Sequence, residues 1–165
     1  MRARHALACL AVVAAADYVI HRRDPSWFAI GPLDHAAHVA TAALLLPSGR
    51  SRGWRANYFI GSLAPDIDHV PMAFGDPHAG DPRPATHSVM SMGPALVGAP
   101  SVAAGMAAHY VRDLALEPGV PLLGGRHLKV PYGAYALLLL ASAYSRSRSW
   151  RAAPAHIPGA SGRGP

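Results

Sequence analysis

The sequence predicts an all-α fold. It is read as a multi-helix, membrane-associated bundle in one domain, residues 1–144, with a disordered basic tail over residues 145–165. Three observations carry this reading. Hydrophobic residues make up 51% of the 165-residue chain and charged residues only 15%, where a soluble domain carries about 25%. The apolar residues fall into five runs bounded by proline, capping residues or arginine clusters. No strand alternation and no internal repeat is evident, and the length suits one domain with a buried core.

Ala6 to Ile20 is the first run. It follows Arg2 and Arg4 and is stopped by His21, Arg22 and Arg23. A signal peptide has the same features, but the immediate positive stop favours a retained first membrane helix. Cys9 comes too early for a lipoprotein site. As the single cysteine, it also rules out an intrachain disulfide and a thiolate metal cluster.

Asp34 to Leu46 is the second helix, with Asp34 as N-cap and Pro47 as the stop, and Trp54 to Leu63 is the third, ended by Pro65. Asp66 to Thr86, rich in Asp, Pro and Gly, reads as a long loop of the kind that more often carries function. Ser88 to Leu116 is the longest apolar element. Pro94 and Pro100 inside it imply a kinked or two-piece helix whose freed carbonyls find partners in neighbouring helices. Pro131 to Tyr144 is the fifth helix, and the Ser- and Arg-rich stretch from Ser145 reads as disordered. Several runs are shorter than the roughly 20 residues of a perpendicular span, so the sequence does not set a span count.

The net charge is +6, and 14 of the 15 basic residues are arginine. They cluster between apolar segments, as at Arg22 and Arg23, at Arg50, Arg52 and Arg55, and at Arg146, Arg148 and Arg151, which is the pattern of membrane-flanking loops. Membrane lipids are the expected partners. Nucleic acid is not, because the basic residues are not interleaved with aromatics on one surface.

The candidates for chemistry are histidines and aspartates. His109 and Asp113, at i and i+4, share one helix face and lie close enough to share a metal ion, although the same spacing also makes an ordinary hydrogen bond. "APDIDHV" brings Asp66, Asp68 and His69 together, and clustered carboxylates repel unless a cation sits between them. An Asp-rich capping turn is the simpler alternative. His87, between Thr86 and Ser88, opens the long apolar element, with Thr86 as its N-cap. His35 and His38 lie one turn apart, and His38 is the preferred ligand because it sits further into the apolar run. His38, Asp66, Asp68, His87, His109 and Asp113 form a thiolate-free donor set that suits Zn²⁺, Mn²⁺ or Fe²⁺ better than Mg²⁺ or Ca²⁺.

Three blocks, "LAPDIDH" (Leu63 to His69), "THS" (Thr86 to Ser88) and "HYVRDLALEPGVPLL" (His109 to Leu123), resemble the signature of the YdjM-type family of membrane-bound metal-dependent hydrolases. That family runs Leu-Pro-Asp-Ile-Asp-His, then His-Arg-Gly-x-Thr-His-Ser, then His-x-x-x-Asp before Gly-Val-Pro-Leu-Leu. The likeness covers about His38 to Tyr132. It implies a multi-pass inner-membrane protein with a helical core, distantly similar to the zinc-dependent phospholipase C and P1 nuclease group. By motif it implies Asp66, Asp68, His87, His109 and Asp113 as ligands, with His38 similar to an amino-terminal family histidine.

The chain departs from the pattern at Pro82, Arg83 and Pro84, where the family has His-Arg-Gly. It departs again at Gly124 and Gly125 in place of Trp-Pro, and at Glu117 or Pro118 in place of Thr.

The expected activity is hydrolysis of a phosphate ester, from a phospholipid or another phosphodiester, through a metal-activated water. Asp66 or Asp68 is the expected proton acceptor, and Arg83 an expected contact to the anion. Two other classes fit the same residues: a divalent-metal carrier or sensor, and a non-catalytic membrane protein with a structural metal site.

Overall fold

In the computed structural model, the described residues are 2–23, 27–69, 87–116, 118–122 and 126–151, with backbone alone for 27–29, 68 and 149–151. Arg83, Thr86, Glu117, Gly124, Gly125 and the tail from residue 152 onward lie outside the described residues.

Six α-helices lie among the described residues. They are α1 (Ala3–Arg23), α2 (Trp27–Leu45), α3 (Arg52–Leu63), α4 (Met92–Gly98), α5 (Pro100–Asp113) and α6 (Tyr132–Arg151). Two short 3₁₀ turns, Ala64–His69 and Val89–Ser91, flank the central gap in the description.

The largely helical class agrees with the expectation, and several boundaries do not. α2 begins at Trp27, so Asp34 is an interior residue of that helix and not its N-cap. Pro32 is the sixth residue of α2, past the four N-terminal positions that lack an intrahelical acceptor, so it costs the helix one backbone hydrogen bond. The long apolar element is two helices, broken at Ala99 (φ −149°, ψ 70°), with Pro100 at the first position of α5. Pro94 breaks nothing, because it falls among the first residues of α4, whose N–H groups have no intrahelical acceptor.

The last helix runs to Arg151 and not to Tyr144, so residues 145–151 are helical rather than disordered. No Gly or Pro interrupts that stretch, and Arg favours helix. A two-stranded antiparallel ribbon, Val120–Pro121 against His127–Leu128, was not expected. Two residues per strand are too few to show alternation. Gly119, at φ 93°, enters this ribbon in a backbone state that other residues rarely adopt, and a Cβ there would meet the Leu128 carbonyl.

α1 packs along α2 and α6, and α5 packs along α3 and against α2. Tyr132 near the start of α6 donates to Asp17 late in α1, while Arg146 late in α6 donates to the Leu44 carbonyl late in α2. α1 therefore runs antiparallel to both. The largest apolar cluster joins Ala6, Val13 and Ala16 of α1 to Ala37, Ala40 and Leu44 of α2 and to Tyr135, Leu139 and Ala143 of α6. A second joins Ala42, Tyr58 and Ala108 across α2, α3 and α5.

Small residues allow these approaches. At the α3/α5 crossing the backbones nearly touch: a Cβ on Gly61 would overlap the Val102 carbonyl, and one on Gly105 would overlap the Tyr58 carbonyl.

Only α1 among the described residues is long and apolar enough to cross a membrane, by length and composition, and it lies near the N-terminus. The described helices therefore do not support the expected multi-pass arrangement.

Gly105→Ala is expected to destabilise the fold by about 1–3 kcal/mol or more through overpacking. Gly133→Ala, where a Cβ would enter open space, is expected to be neutral or stabilising by up to about 1 kcal/mol. Urea unfolding of both variants checks this, and equal midpoints would refute the close contact.

Candidate metal centre

The C-terminal half of α5 is buried on nearly all sides: His109 and Arg112 are 0% exposed and Asp113 2%. His109 Nδ1 lies 2.9 Å from the Ser62 carbonyl oxygen. A carbonyl only accepts, so Nδ1 carries the hydrogen and Nε2 is left facing the site. Nε2 lies 3.2 Å from Asp113 Oδ2 and 3.5 Å from Asp66 Oδ1, without a well-aligned hydrogen bond to either. The α3/α5 crossing sets this geometry, because it brings Ser62 under His109.

The 3₁₀ turn after α3 presents Asp66, 5% exposed, to four imidazoles. His87 Nε2 lies 3.2 Å and His69 Nδ1 3.7 Å from Asp66 Oδ1, and His35 Nε2 lies 3.1 Å from Oδ2. His38 Nε2 lies 3.4 Å from Asp34 Oδ2 and 3.6 Å from Asp113 Oδ1, and its ring stacks on His109 with centroids 3.8 Å apart.

Two groups of buried side chains can hold a metal ion: His38, His109 and Asp113, and Asp66, His87 and His109, each with ligand atoms all within 4.8 Å of one another. Zinc bonds of about 2.0–2.1 Å in a tetrahedron set ligand atoms about 3.3 Å apart. The separations of 3.2 and 3.5 Å between the His87 or His109 Nε2 and the Asp66 or Asp113 oxygens are of that size. The chemistry of the donors fits as well, since His38 Nδ1 and His109 Nε2 are buried without a hydrogen-bond partner among the described residues.

Electrostatics point the same way. Burial alone would raise the Asp66 pKa, but the His35 and His87 imidazoles and the nearby His109 outweigh it and hold the carboxyl well below the usual range. Burial works against the charged form of His109, and Asp113 and Asp66 overcome it, so the His109 pKa is raised. Burial and then the His109 charge push His38 down. Of the two stacked imidazoles, His109, between two carboxylates, is therefore the one whose charged form its surroundings favour.

Behind the donors lies a second set of charges. Arg112 Nη1 is 2.7 Å from Asp17 Oδ1, and Nη2 donates to Asp34 Oδ1 at 2.9 Å. Tyr132 donates to Asp17 Oδ2 at 2.6 Å. With Oδ1 held by Arg112, Asp34 offers Oδ2 to His38 and orients that ring.

Of the residues expected at the site, His38, Asp66, His87, His109 and Asp113 come together here. Asp68 lies in the same 3₁₀ turn, and its side chain is outside the description. Sequence reasoning missed Asp17, Asp34 and Arg112 as parts of the site, and set His35 behind His38. A signal existed for two of the missed residues. Asp17 and Asp34 are ionisable residues inside apolar runs, which are costly unless partnered, and Asp34 stands four residues before His38 on one helix face.

An apolar groove of about 680 Å³ lies along α1 and α2 beside His35. Ala8 and Val12 of α1, Val39 and Ala43 of α2, and Leu63 line it, and His35 is its link to Asp66. The His35 side chain is 43% exposed, which makes it the accessible imidazole of the set.

Compared with protein-family models, curated proteins and solved structures, the chain matches none.

Arg112→Leu is expected to cost about 3–5 kcal/mol, because it leaves Asp17 and Asp34 without their buried counter-charge. Chemical denaturation measures this, and a loss under 1 kcal/mol would mean the ion pairs are solvated. Metal affinity is expected to be pH-dependent. The raised His109 pKa lets protons compete for Nε2 from a higher pH than for an ordinary imidazole, so binding is tightest above that pKa. It weakens by up to about tenfold per pH unit below it for each proton displaced. Zinc calorimetry near pH 8 and pH 6, in buffers of different ionisation enthalpy, reads both the affinity and the released proton. Affinity that is flat over that range would remove His109 from the ligand set.

Proposed function

We propose that this chain is a membrane-bound metal-dependent hydrolase of phosphate esters, similar to the YdjM-type family in its three motif blocks. The observation that carries the proposal is the pair of buried His/Asp triads meeting at His109. Zinc suits the imidazole and carboxylate donors best, with manganese or iron as close alternatives. His38, His109 and Asp113 would hold one ion, and Asp66 with His87 would complete or extend the centre. Bound there, the cation supplies Lewis-acid polarisation of a phosphoryl oxygen and lowers the pKa of a water near it.

The chain's own residues divide the remaining work. Ser62 and Asp34 fix the ring orientations of His109 and His38. Asp66 is held too acidic to be a good proton acceptor at neutral pH. Of the two aspartates expected to act as base, Asp68 takes that role here, and Asp66 serves as ligand. His35, at the end of the apolar groove, meets the substrate first.

A lipid phosphate ester is the favoured substrate. Its acyl chain matches the apolar lining of the groove, and its head would reach Asp66 and His35. α1 attaches the protein to the membrane. Exposed Leu96, Val97, Leu137 and Leu140 on α4 and α6 give further surface for lipid contact, consistent with an inner-membrane location.

One observation favours a second reading, a structural metal site: the five donors His38, Asp66, His87, His109 and Asp113 are each no more than 5% exposed. The two readings separate in one experiment on protein purified in detergent. Bound metal is quantified by elemental analysis, and hydrolysis of phosphodiester and phospholipid substrates is assayed. As a hydrolase, the wild type carries near-stoichiometric metal and turns over a phosphate ester. The His109→Ala, Asp113→Ala double variant loses both, and Asp68→Asn keeps the metal while losing at least a hundredfold in kcat. Metal without turnover on any phosphate ester favours the structural site. A wild type that takes up no metal ends both readings.

A further inference from the structure

The end of the bundle away from the metal centre has the opposite charge. The sequence places no Asp or Glu before Asp17, between Asp34 and Asp66, or after Glu117. The antiparallel course of α1 brings these three acid-free stretches together: the start of α1 with Arg2 and Arg4, the turn from α2 into α3, and the second half of α6.

A cavity of about 360 Å³ lies between that turn and α6. Arg50, Arg55 and Arg146 line it together with Ser48 and Pro47, and no acidic side chain among the described residues does.

Each guanidinium is held by the surrounding structure. Arg146 Nε donates to the Leu44 carbonyl at 2.7 Å, Arg55 Nε donates to the Arg50 carbonyl at 3.0 Å, and Arg50 lies over the Trp54 ring at 4.8 Å. The C-terminus of α2 accounts for part of this charge. Its carbonyls amount to about half a negative charge, which the bond from Arg146 answers. Arg50 and Arg55 add two more positive charges at the same place. Three like charges around one cavity repel, and a phosphate anion between them reverses the sign of that interaction. Planar guanidinium forks match phosphate oxygens in pairs.

We infer that this cavity is a binding site for a phosphate group, separate from the metal centre and formed by Arg50, Arg55 and Arg146. The phosphate can come from an anionic lipid headgroup or from a soluble phosphate. The ligand chemistry is the same, and the source is an experimental question. At the basic end of a bundle whose α1 can cross a membrane, such a site would tie the helix ends to an anionic surface.

The test uses the full chain in a neutral detergent and measures binding of three probes: phosphatidylglycerol in mixed micelles, phosphatidylcholine in the same micelles, and inorganic phosphate alone. The variants are Arg55→Gln, the Arg55→Gln, Arg146→Gln double, and Arg22→Gln, Arg23→Gln at the other end of α1. Arg55→Gln retains the Arg146 bond to α2, so it remains informative if the double variant fails to fold.

The inference predicts binding of phosphatidylglycerol or of inorganic phosphate at least tenfold tighter than of phosphatidylcholine. It predicts a fivefold or greater loss in Arg55→Gln and none in the Arg22, Arg23 variant. Competition by inorganic phosphate against the lipid assigns a soluble source, and lipid binding without competition assigns the headgroup. Binding equal for all three probes, no binding of any, or an equal loss in the Arg22, Arg23 variant overturns it.

Discussion

Arg112 is the one permanent cation among the described residues of the buried polar network, and the arrangement around the metal centre depends on it. Four carboxylates, those of Asp17, Asp34, Asp66 and Asp113, converge on the ends of α1, α2, α3 and α5. One guanidinium faces them, at 0% exposure, and it engages only Asp17 and Asp34. Burying an unpaired carboxylate costs several kcal/mol. Asp66 and Asp113 must therefore draw positive charge from elsewhere, from imidazolium or from a bound cation. By taking two carboxylates permanently, Arg112 decides which two are left for the metal centre. It also ties α1, α2 and α5 at one point, so the helices that carry His38, His109 and Asp113 are held in register by the same contact.

The second constraint is steric. His109 is useful only if Nε2 faces the carboxylates, and that depends on Ser62 accepting from Nδ1. Ser62 comes within reach because Gly61 and Gly105 let the α3 and α5 backbones approach to contact. The glycines thus act on the metal centre through two intermediates, a helix crossing and a tautomer. One further consequence follows from that tautomer. His109 has a single lone pair, while both triads include it. A cation seated with His38 and Asp113 therefore takes His109 away from Asp66 and His87. Those two must then rely on other donors, and His35, 3.1 Å from Asp66 Oδ2, is the nearest of the described residues for the second oxygen.

The sequence revealed the ligands better than it revealed their support. Five expected donors meet because each was an ionisable residue at the edge of an apolar run, and burial cost makes such residues conspicuous. Asp34 was misread because a helix start was inferred from a good capping residue before an apolar run, while the backbone had begun its helix seven residues earlier, at Trp27. Arg112 was hidden among fourteen arginines, since nothing local distinguishes a buried guanidinium from a loop one; its partners are 78 and 95 positions away (112 − 34 and 112 − 17). The helix break at Ala99 was legible from Pro100, but the two-residue ribbon strands were too short to leave a pattern.

The same long-range pairing explains why the arginine clusters gave no orientation when read along the chain. Arg22 and Arg23 follow the first apolar run just as Arg2 and Arg4 precede it, so a count of flanking charges is nearly balanced. Folding breaks the tie. The α2–α3 turn and the second half of α6 join the start of α1, while Asp17, paired with Arg112 and Tyr132, lies toward its other end. Positive residues near helix ends favour the cytoplasmic face of a membrane. If α1 crosses, the basic end is the one that this rule keeps inside. The acids near α1's far end are no obstacle to this, because orientation follows Lys and Arg and acidic residues contribute little. The orientation is therefore a property of the folded bundle rather than of any one segment.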